Sequence, residues 1–280
     1  MLRKVTLLAA ALLLVGGPAL ANSKVREPEP VAFSFEGPFG RFDAAQLQRG
    51  YKVYREVCSA CHSMNLVAFR NLGDPGAPFF DPKYPNANDN PVVKALATDI
   101  QVPDIDSETG DPITRPATPA DRFPAPFPNA TAARASNGGA LPPDLSLMAK
   151  AREGGPEYIA SLLQGYVASP AGLTEMPGKY YNPWFPGDVT ANWTGDHAHV
   201  PPGGFIGMAP PLAPDKVTFD DGTKSTVRQQ ADDVAAFLMW AADPHMEARK
   251  QMGFSVLIFL VLFSGLLYAS YRRVWRNESH

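Results

Sequence analysis

The chain has few cysteines and no surplus of basic charge. Its 280 residues include two cysteines, Cys58 and Cys61, which is too few for a disulfide-rich scaffold. Between the two apolar ends, residues 22–251 hold 20 basic and 27 acidic residues, a net charge of −7. This balance argues against a basic surface that binds nucleic acid. The sequence also has no internal repeat and no glycine-rich loop that could cradle a phosphate.

Proline, in contrast, is abundant. The 29 prolines are about twice the average usage, while 45% of the residues are hydrophobic, enough for a packed core. Residues 73–130 and 166–222 show no sustained periodicity, and we interpret them as irregular loops. The predicted fold class is therefore mainly α, with long loops rich in proline and glycine.

Helical patterns separate these loops. Asp43 is a suitable N-cap for a helix whose apolar face includes Leu47 and Tyr51 and which carries both cysteines near its C-terminal end. Further helices are predicted over 91–97, 143–152 and 156–165. The residues Thr226-Val-Arg-Gln229 fit a capping box that opens another helix.

The N-terminal 21 residues have the pattern of a secretory signal. Arg3 and Lys4 precede an apolar stretch, and Ala19-Leu20-Ala21 fits a small-x-small cleavage site. An uncleaved membrane anchor is the alternative, although the apolar stretch is short for a span. We expect the mature chain to begin at Asn22 and to fold outside the cytoplasm.

A second apolar run lies near the C-terminus. Residues 252–271 carry no charge and, as a helix, would extend ~30 Å, the thickness of the bilayer core. A buried core helix is the alternative. We predict an extracytoplasmic domain over 22–243 and an anchor helix over 244–275, which begins at Asp243-Pro244. Residues 276–280 would form a cytoplasmic tail next to the basic residues that follow the span.

The motif Cys58-Ser59-Ala60-Cys61-His62 is the chemically informative feature. Two thiols spaced in this way can add to the vinyl groups of haem, and the adjacent histidine can bind the iron, so C-x-x-C-H indicates covalent attachment of haem c. A thioredoxin-like redox pair and half of a zinc site are the alternatives. The first lacks its strand–helix setting, and the second lacks two further cysteines.

The second axial ligand is left open by the residues alone. Met176 and Met208 lie in irregular loops that could bring a thioether to the iron, and His197 or His199 would give bis-histidine ligation. Met148 and Met239 lie on apolar helix faces and Met64 lies close to His62, so these three are less suitable. Met246 and His245 are the remaining candidates of the mature domain.

An acidic run lies within the first long loop. Asp99, Asp104, Asp106, Glu108 and Asp111 have no basic residue among them. The run is either a solvated loop or a docking surface for a basic partner.

The sequence around the motif resembles the cytochrome c1 family, the haem-bearing subunits of the cytochrome bc1 complex. The resemblance covers nearly all of residues 33–275 in the family's order. Its clearest blocks are Phe42–Asn65, Ala133–Asn137, Gly139–Ser146, Ala151–Arg152, Tyr158–Tyr166, Gly207–Leu212, Asp220–Thr223 and Phe237–Gly253.

The resemblance implies one haem c linked to Cys58 and Cys61, with iron ligands His62 and Met208. It further implies that Arg152 and Tyr158 approach a haem propionate and that Asn137 and Pro143 line the haem pocket. Two departures stand out. The chain lacks the second cysteine pair that some bacterial relatives carry, and residues 166–206 differ from mitochondrial members.

The resemblance also implies a function and partners. The chain would accept an electron from the Rieske iron–sulfur protein and pass it to a soluble or membrane-tethered c-type cytochrome, anchored beside cytochrome b in the bacterial inner membrane. As part of quinol–cytochrome c reductase it would transfer electrons without substrate chemistry of its own. A free-standing membrane-anchored electron shuttle and a five-coordinate haem catalyst or gas sensor are the alternatives.

Overall fold

The computed structural model describes residues 25–277, and the predicted signal segment lies outside this range. The described part is mainly helical, which confirms the predicted fold class. Its α-helices are α1 (Ala44–Val53), α2 (Pro91–Thr98), α3 (Ala130–Ser136), α4 (Met148–Ala151), α5 (Gly155–Gln164), α6 (Val227–Ala242) and α7 (Met246–Val274). A π-helical turn spans Tyr54–Cys58, and 3-10 turns span Phe69–Gly73, Ala87–Asp89, Thr190–Asn192, His197–His199 and Trp275–Asn277.

The core of the extramembrane domain forms where α1 and α5 pack against α6. Gly50 permits the close approach of α1 to α6, because a side-chain carbon there would collide with the backbone carbonyl of Asp233. Next to this contact, Arg49 Nε donates to Asp233 Oδ2 at 2.8 Å, and the Asp233 side chain is fully buried. Asp43 caps α1, as predicted, by accepting from the backbone N–H groups of Ala45 and Gln46.

The C-terminal helix contains the whole apolar run. α7 is 29 residues long and has the length and composition to cross a membrane, and its side chains from Met252 onward are exposed. It begins at Met246, so the predicted start at Asp243-Pro244 is wrong. The backbone N–H of Asp243 instead caps α6, and its carboxylate accepts from Lys150 and Arg249.

Two antiparallel pairs of short strands interrupt the segments that we expected to be irregular; the first is a tight hairpin, and the second closes a long loop. β1 (Gln101–Ile105) pairs antiparallel with β2 (Pro112–Pro116), and β3 (Tyr180–Asn182) pairs antiparallel with β4 (Gly204–Ile206). The first hairpin contains most of the acidic run, whose carboxylates cluster in sequence without an alternating apolar pattern. Sequence periodicity therefore missed both strand pairs, as well as α3.

Part of the acidic run is paired inside the domain. Arg55 binds Asp99 at 2.9 Å, and Arg115 on β2 binds Asp104 on β1 at 2.5 Å. The exposed carboxylates of Glu108 and Asp111 and the partly exposed carboxylate of Asp106 lie around the hairpin turn, where they form no ion pair within residues 25–277. Only this end of the run presents uncompensated negative charge.

Residues 166–206 form a small module with its own apolar cluster of Leu173, Tyr181 and Val189. The N-terminal segment fastens this module to the main domain. Arg26 donates from its backbone N–H to Pro183, and Trp184 donates from its indole N–H to the Glu27 carbonyl.

Candidate haem site

The C-x-x-C-H motif begins at Cys58, the last residue of the π-helical turn that follows α1. The wide turn is closed by the bond from Ser59 N–H to the Tyr54 carbonyl, 2.8 Å long. The N–H groups of Cys61 and His62 then both donate to the Cys58 carbonyl, at 3.1 and 2.9 Å. The two thiols and the imidazole therefore lie within little more than one helical turn, in the arrangement that the motif predicted.

The His62 ring is oriented by a backbone carbonyl. His62 Nδ1 lies 2.8 Å from the Pro143 carbonyl oxygen. A carbonyl can only accept, so Nδ1 must carry the proton and Nε2 keeps its lone pair. Burial lowers the pKa of His62, and the hydrogen bond to Pro143 opposes this effect only in part. A neutral imidazole with a free Nε2 is the form that binds a metal.

The segment that supplies Pro143 is clamped to the residues after His62. Asp144 Oδ2 accepts from Ser63 Oγ and from the Asn65 N–H, both at 2.8 Å. Asp144 Oδ1 accepts from the Ser146 N–H at 2.8 Å, and Leu145 N–H donates to the Ser63 carbonyl. These bonds hold Pro143 against His62.

The clamp also corrects a sequence prediction. We expected one helix over 143–152, whereas only α4, Met148–Ala151, is helical. The side chain of Asp144 turns toward Ser63 and Asn65 instead of capping a helix at that point. Residues 143–145 consequently lie outside any helix, and the Pro143 carbonyl accepts from His62.

The loop that carries Met208 lies beside the same segment. A side-chain carbon on Gly207 would lie 3.1 Å from Ala140 Cβ, so residues 207 and 140 are neighbours. Further along the loop, the Lys216 ammonium donates to the Pro211 carbonyl at 2.8 Å, and its charge opposes the rise in the pKa of Cys58. The loop thus lies beside Ala140, three residues before Pro143, and its Lys216 is near enough to Cys58 for its charge to act on the thiol.

Most other potential axial ligands are placed elsewhere. Met64 and Met246 are buried in the core, and Met148 and Met239 pack against it. The His199 ring is exposed and bonded to Asp196 at 2.7 Å. Met176 is partly exposed, like Met208.

Burial raises the pKa of Tyr158, and the positive charge of nearby Arg152 opposes this rise. Tyr158 is in turn near Tyr166, a residue that sequence reasoning did not select as a site residue. The Tyr166 hydroxyl is buried and has no hydrogen-bond partner among residues 25–277. Burial is the main cause that raises its pKa, followed by Tyr158 and Tyr180. A tyrosine in a loop gives no sequence signal for this situation.

Asn137 and Pro143 flank the segment that reaches the motif. Asn137 ends α3, and its side-chain amide donates to the Ala133 carbonyl at 2.7 Å. Pro143 has the clearer contact, through its carbonyl and His62.

The residues present fit haem c. Two thiols, an imidazole with a free Nε2 and a thioether in an adjacent loop form a suitable donor set. Burial raises the pKa of Cys58 to about 12, so this side chain is a neutral thiol in the chain without haem. The unpartnered hydroxyl of Tyr166 is a donor available to a carboxylate. Among residues 25–277, no three His, Cys, Asp or Glu side chains gather as metal ligands, so nothing supports the zinc alternative.

Comparisons with known proteins identify the family of the chain. A family model described as the cytochrome C1 family matches residues 33–278. The chain is 42% identical to cytochrome c1 of Rhodospirillum rubrum, covering 99% of this chain and 98% of that protein. It is 40% identical to cytochrome c1 of Blastochloris viridis, with 95% of each chain covered.

A third relative is longer. Cytochrome b/c1 of Bradyrhizobium diazoefficiens is 43% identical over 98% of this chain, which covers 39% of that protein's length. The site and the matches together define a membrane-anchored c-type haem protein. The chain belongs to the cytochrome c1 family, and this membership makes it a haem subunit of the bc1 complex, active in electron transfer.

Proposed function

We propose that Cys58 and Cys61 bind haem c covalently, that His62 and Met208 are its iron ligands, and that the chain relays single electrons. The observation that carries the proposal is the contact between His62 Nδ1 and the Pro143 carbonyl, which leaves Nε2 for the iron. The position of the Met208 loop beside Ala140 supports the choice of Met208 over Met176.

When bound, haem c supplies a one-electron redox centre. The contributions of the chain are attachment, orientation and charge. The Asp144 clamp fixes Pro143, and Pro143 fixes the plane and tautomer of His62. If His62 and Met208 both bind the iron, no coordination position would remain for a substrate, so we propose that the chain transfers electrons without bond-making chemistry.

We further propose that Arg152, Tyr158 and Tyr166 face the haem propionates, with Asn137 and Pro143 at the pocket edge. A guanidinium and two phenol hydroxyls can offset and hydrogen-bond buried carboxylates. The buried Tyr166 hydroxyl, which has no partner among residues 25–277, supports this assignment because such a group is costly unless a ligand satisfies it.

The proposed route runs from the Rieske iron–sulfur protein, through this chain, to a c-type cytochrome. The carboxylates of Asp106, Glu108 and Asp111, which form no ion pair within residues 25–277, would attract a basic acceptor and raise the encounter rate at low ionic strength. Helix α7 would anchor the chain beside cytochrome b, with the haem domain in the periplasm and the basic C-terminal tail in the cytoplasm.

The test is the optical spectrum and midpoint potential of the purified full chain with its haem. Met208→Leu should abolish the weak far-red band of methionine-ligated ferric haem and lower the potential, because a thioether favours reduced iron. The matched control is Met176→Leu, which should change neither. Loss of the band in the Met176 variant alone would assign the ligand to Met176 and refute the proposal.

The propionate assignment has a separate test. Tyr166→Phe removes only the hydroxyl, and the pH dependence of the midpoint potential should shift to higher pH because a propionate loses a donor that favours its anion. Tyr84→Phe is the control, since Tyr84 lies in the first long loop and is not among the groups that act on Tyr166. Identical pH profiles for the two variants would contradict a propionate contact of Tyr166.

A further inference from the structure

A groove lies where the extramembrane domain meets the anchor helix. We propose that this juxtamembrane groove binds a phospholipid of the outer leaflet. It has a volume of 310 Å³, and the residues that matter to the argument are Phe39, Gly40 and Arg41 from the loop before α1, and Glu247, Lys250 and Phe254 from α7.

The position of the groove follows from helix geometry. Phe254 lies two residues beyond Met252, where the uncharged run begins, which corresponds to ~3 Å along the helix axis. Glu247 and Lys250 lie on the preceding turns. The groove therefore spans the boundary between the polar head groups and the hydrocarbon.

Hydrogen bonds within the chain itself fix the loop before α1 to helix α7. The Lys250 ammonium donates to the Phe35 carbonyl at 2.6 Å and lies 3.4 Å from the Gly40 carbonyl. Glu247 Oε1 accepts from the Phe42 N–H at 2.9 Å. Because these bonds join the loop to successive turns of α7, the groove is already formed in the isolated chain.

Its apolar wall is an exposed aromatic pair. Phe39 is 73% exposed and packs edge to face against Phe254, with 5.6 Å between ring centroids. Phe254 is itself 51% exposed. An exposed phenylalanine pair at this level is stabilised by contact with acyl chains. Its surface is continuous with the exposed apolar side of α7.

The polar wall of the groove contains an arginine side chain that has no partner within residues 25–277. The Arg41 side chain is exposed and makes no hydrogen bond or ion pair within residues 25–277. A guanidinium at the head-group level can bind phosphate in bidentate geometry. The acidic lining residue, Glu247, is engaged by the Phe42 N–H, and Lys250 adds a second positive charge. The lining therefore carries a net positive charge that suits a phosphodiester.

The first experiment identifies what covers the groove in the intact membrane. A photoreactive p-benzoylphenylalanine in place of Phe39 should cross-link to a phospholipid, detected as a lipid adduct by mass spectrometry of the full chain. A cross-link to another polypeptide, or none at all, would overturn the proposal, because a neighbouring subunit or solvent would then occupy the site.

The second experiment measures how many phospholipid molecules stay bound after detergent extraction. Native mass spectrometry of the detergent-extracted complex should show one fewer bound phospholipid in Arg41→Gln than in the wild type. Arg70→Gln is the control, because Arg70 is an exposed arginine of the extramembrane domain. Equal retention in the two variants would overturn the proposal, as would displacement of the lipid by added inorganic phosphate, which would indicate a simple anion site. The haem spectrum should be unchanged in both variants, so the outcome does not depend on the axial ligands.

Discussion

Replacing Asp144 by asparagine tests whether the clamp, rather than the motif alone, orients the proximal histidine. One oxygen of the wild-type carboxylate accepts from Ser63 and Asn65, and the other accepts from the Ser146 N–H. In the variant, one amide oxygen can keep the first two bonds, but they become neutral. The amide NH₂ then faces the Ser146 N–H, so the third bond is lost.

The magnitude follows from these bonds. A hydrogen bond to a charged group contributes ~1.5–3 kcal/mol and a neutral one ~0.5–1.5 kcal/mol. Weakening two bonds and losing a third would therefore cost several kcal/mol if the effects were additive. Because Asp144 is partly exposed and the bonds share one group, we expect a loss of about 2–3 kcal/mol.

The pH dependence has a definite sign. Burial raises the pKa of Asp144, but hydrogen bonds from Ser146, Asn65 and Ser63 outweigh burial and leave it below its usual range. A depressed pKa contributes stability that is present above the unfolded value of ~3.9 and is lost as the pH falls through the folded value. The difference between wild type and variant should therefore be constant near neutral pH and shrink in acid.

The assay is denaturant unfolding of the full chain in detergent, followed by haem absorbance. Asp106→Asn is the control, because Asp106 is also a partly exposed carboxylate, but it accepts only from its own turn, at Glu108 and Thr109. Equal effects of the two substitutions, or a difference between wild type and Asp144→Asn that does not narrow in acid, would refute the clamp.

Three further predictions concern the scaffold around the site. Arg49→Met should destabilise the fold by about 3–5 kcal/mol, because it leaves the buried Asp233 carboxylate without its ion-pair partner. The loss of stability should be smaller near about pH 5 than near about pH 8, where Asp233 is more fully charged. A pH-independent loss in denaturant titrations would contradict this prediction. Gly50→Ala should cost roughly 1–3 kcal/mol by forcing α1 away from α6, and a thermal midpoint equal to wild type would show that the helices can separate freely. Asp121→Asn should speed amide hydrogen exchange in the β1–β2 hairpin, because Asp121 binds Arg115 at 2.7 Å, while exchange in α6 should stay unchanged; equal exchange in wild type and variant would show that the pair does not hold the hairpin.

The sequence alone was sufficient wherever a local pattern carries the physics. The capped α1 and the apolar run of α7 were predicted correctly, because helix capping and bilayer thickness each depend on neighbouring residues. Covalent attachment of haem at the C-x-x-C-H motif remains a prediction. The resemblance to the cytochrome c1 family was likewise visible in the sequence, and the comparisons confirm it. The ligand assignment to Met208 remains a prediction.

Contacts between distant residues were decided only by the tertiary structure. The capping box at Thr226 is half formed, since Thr226 accepts from the Gln229 N–H while the Gln229 amide turns to the buried Asp233. Asp144, expected at the start of a helix, instead bonds to residues about 80 positions earlier. Local propensity cannot anticipate such choices, because a side chain satisfies whichever partners folding brings within reach. That is why candidate haem-binding residues could be proposed from the sequence, whereas the bond between the Pro143 carbonyl and His62 is seen only in the structure.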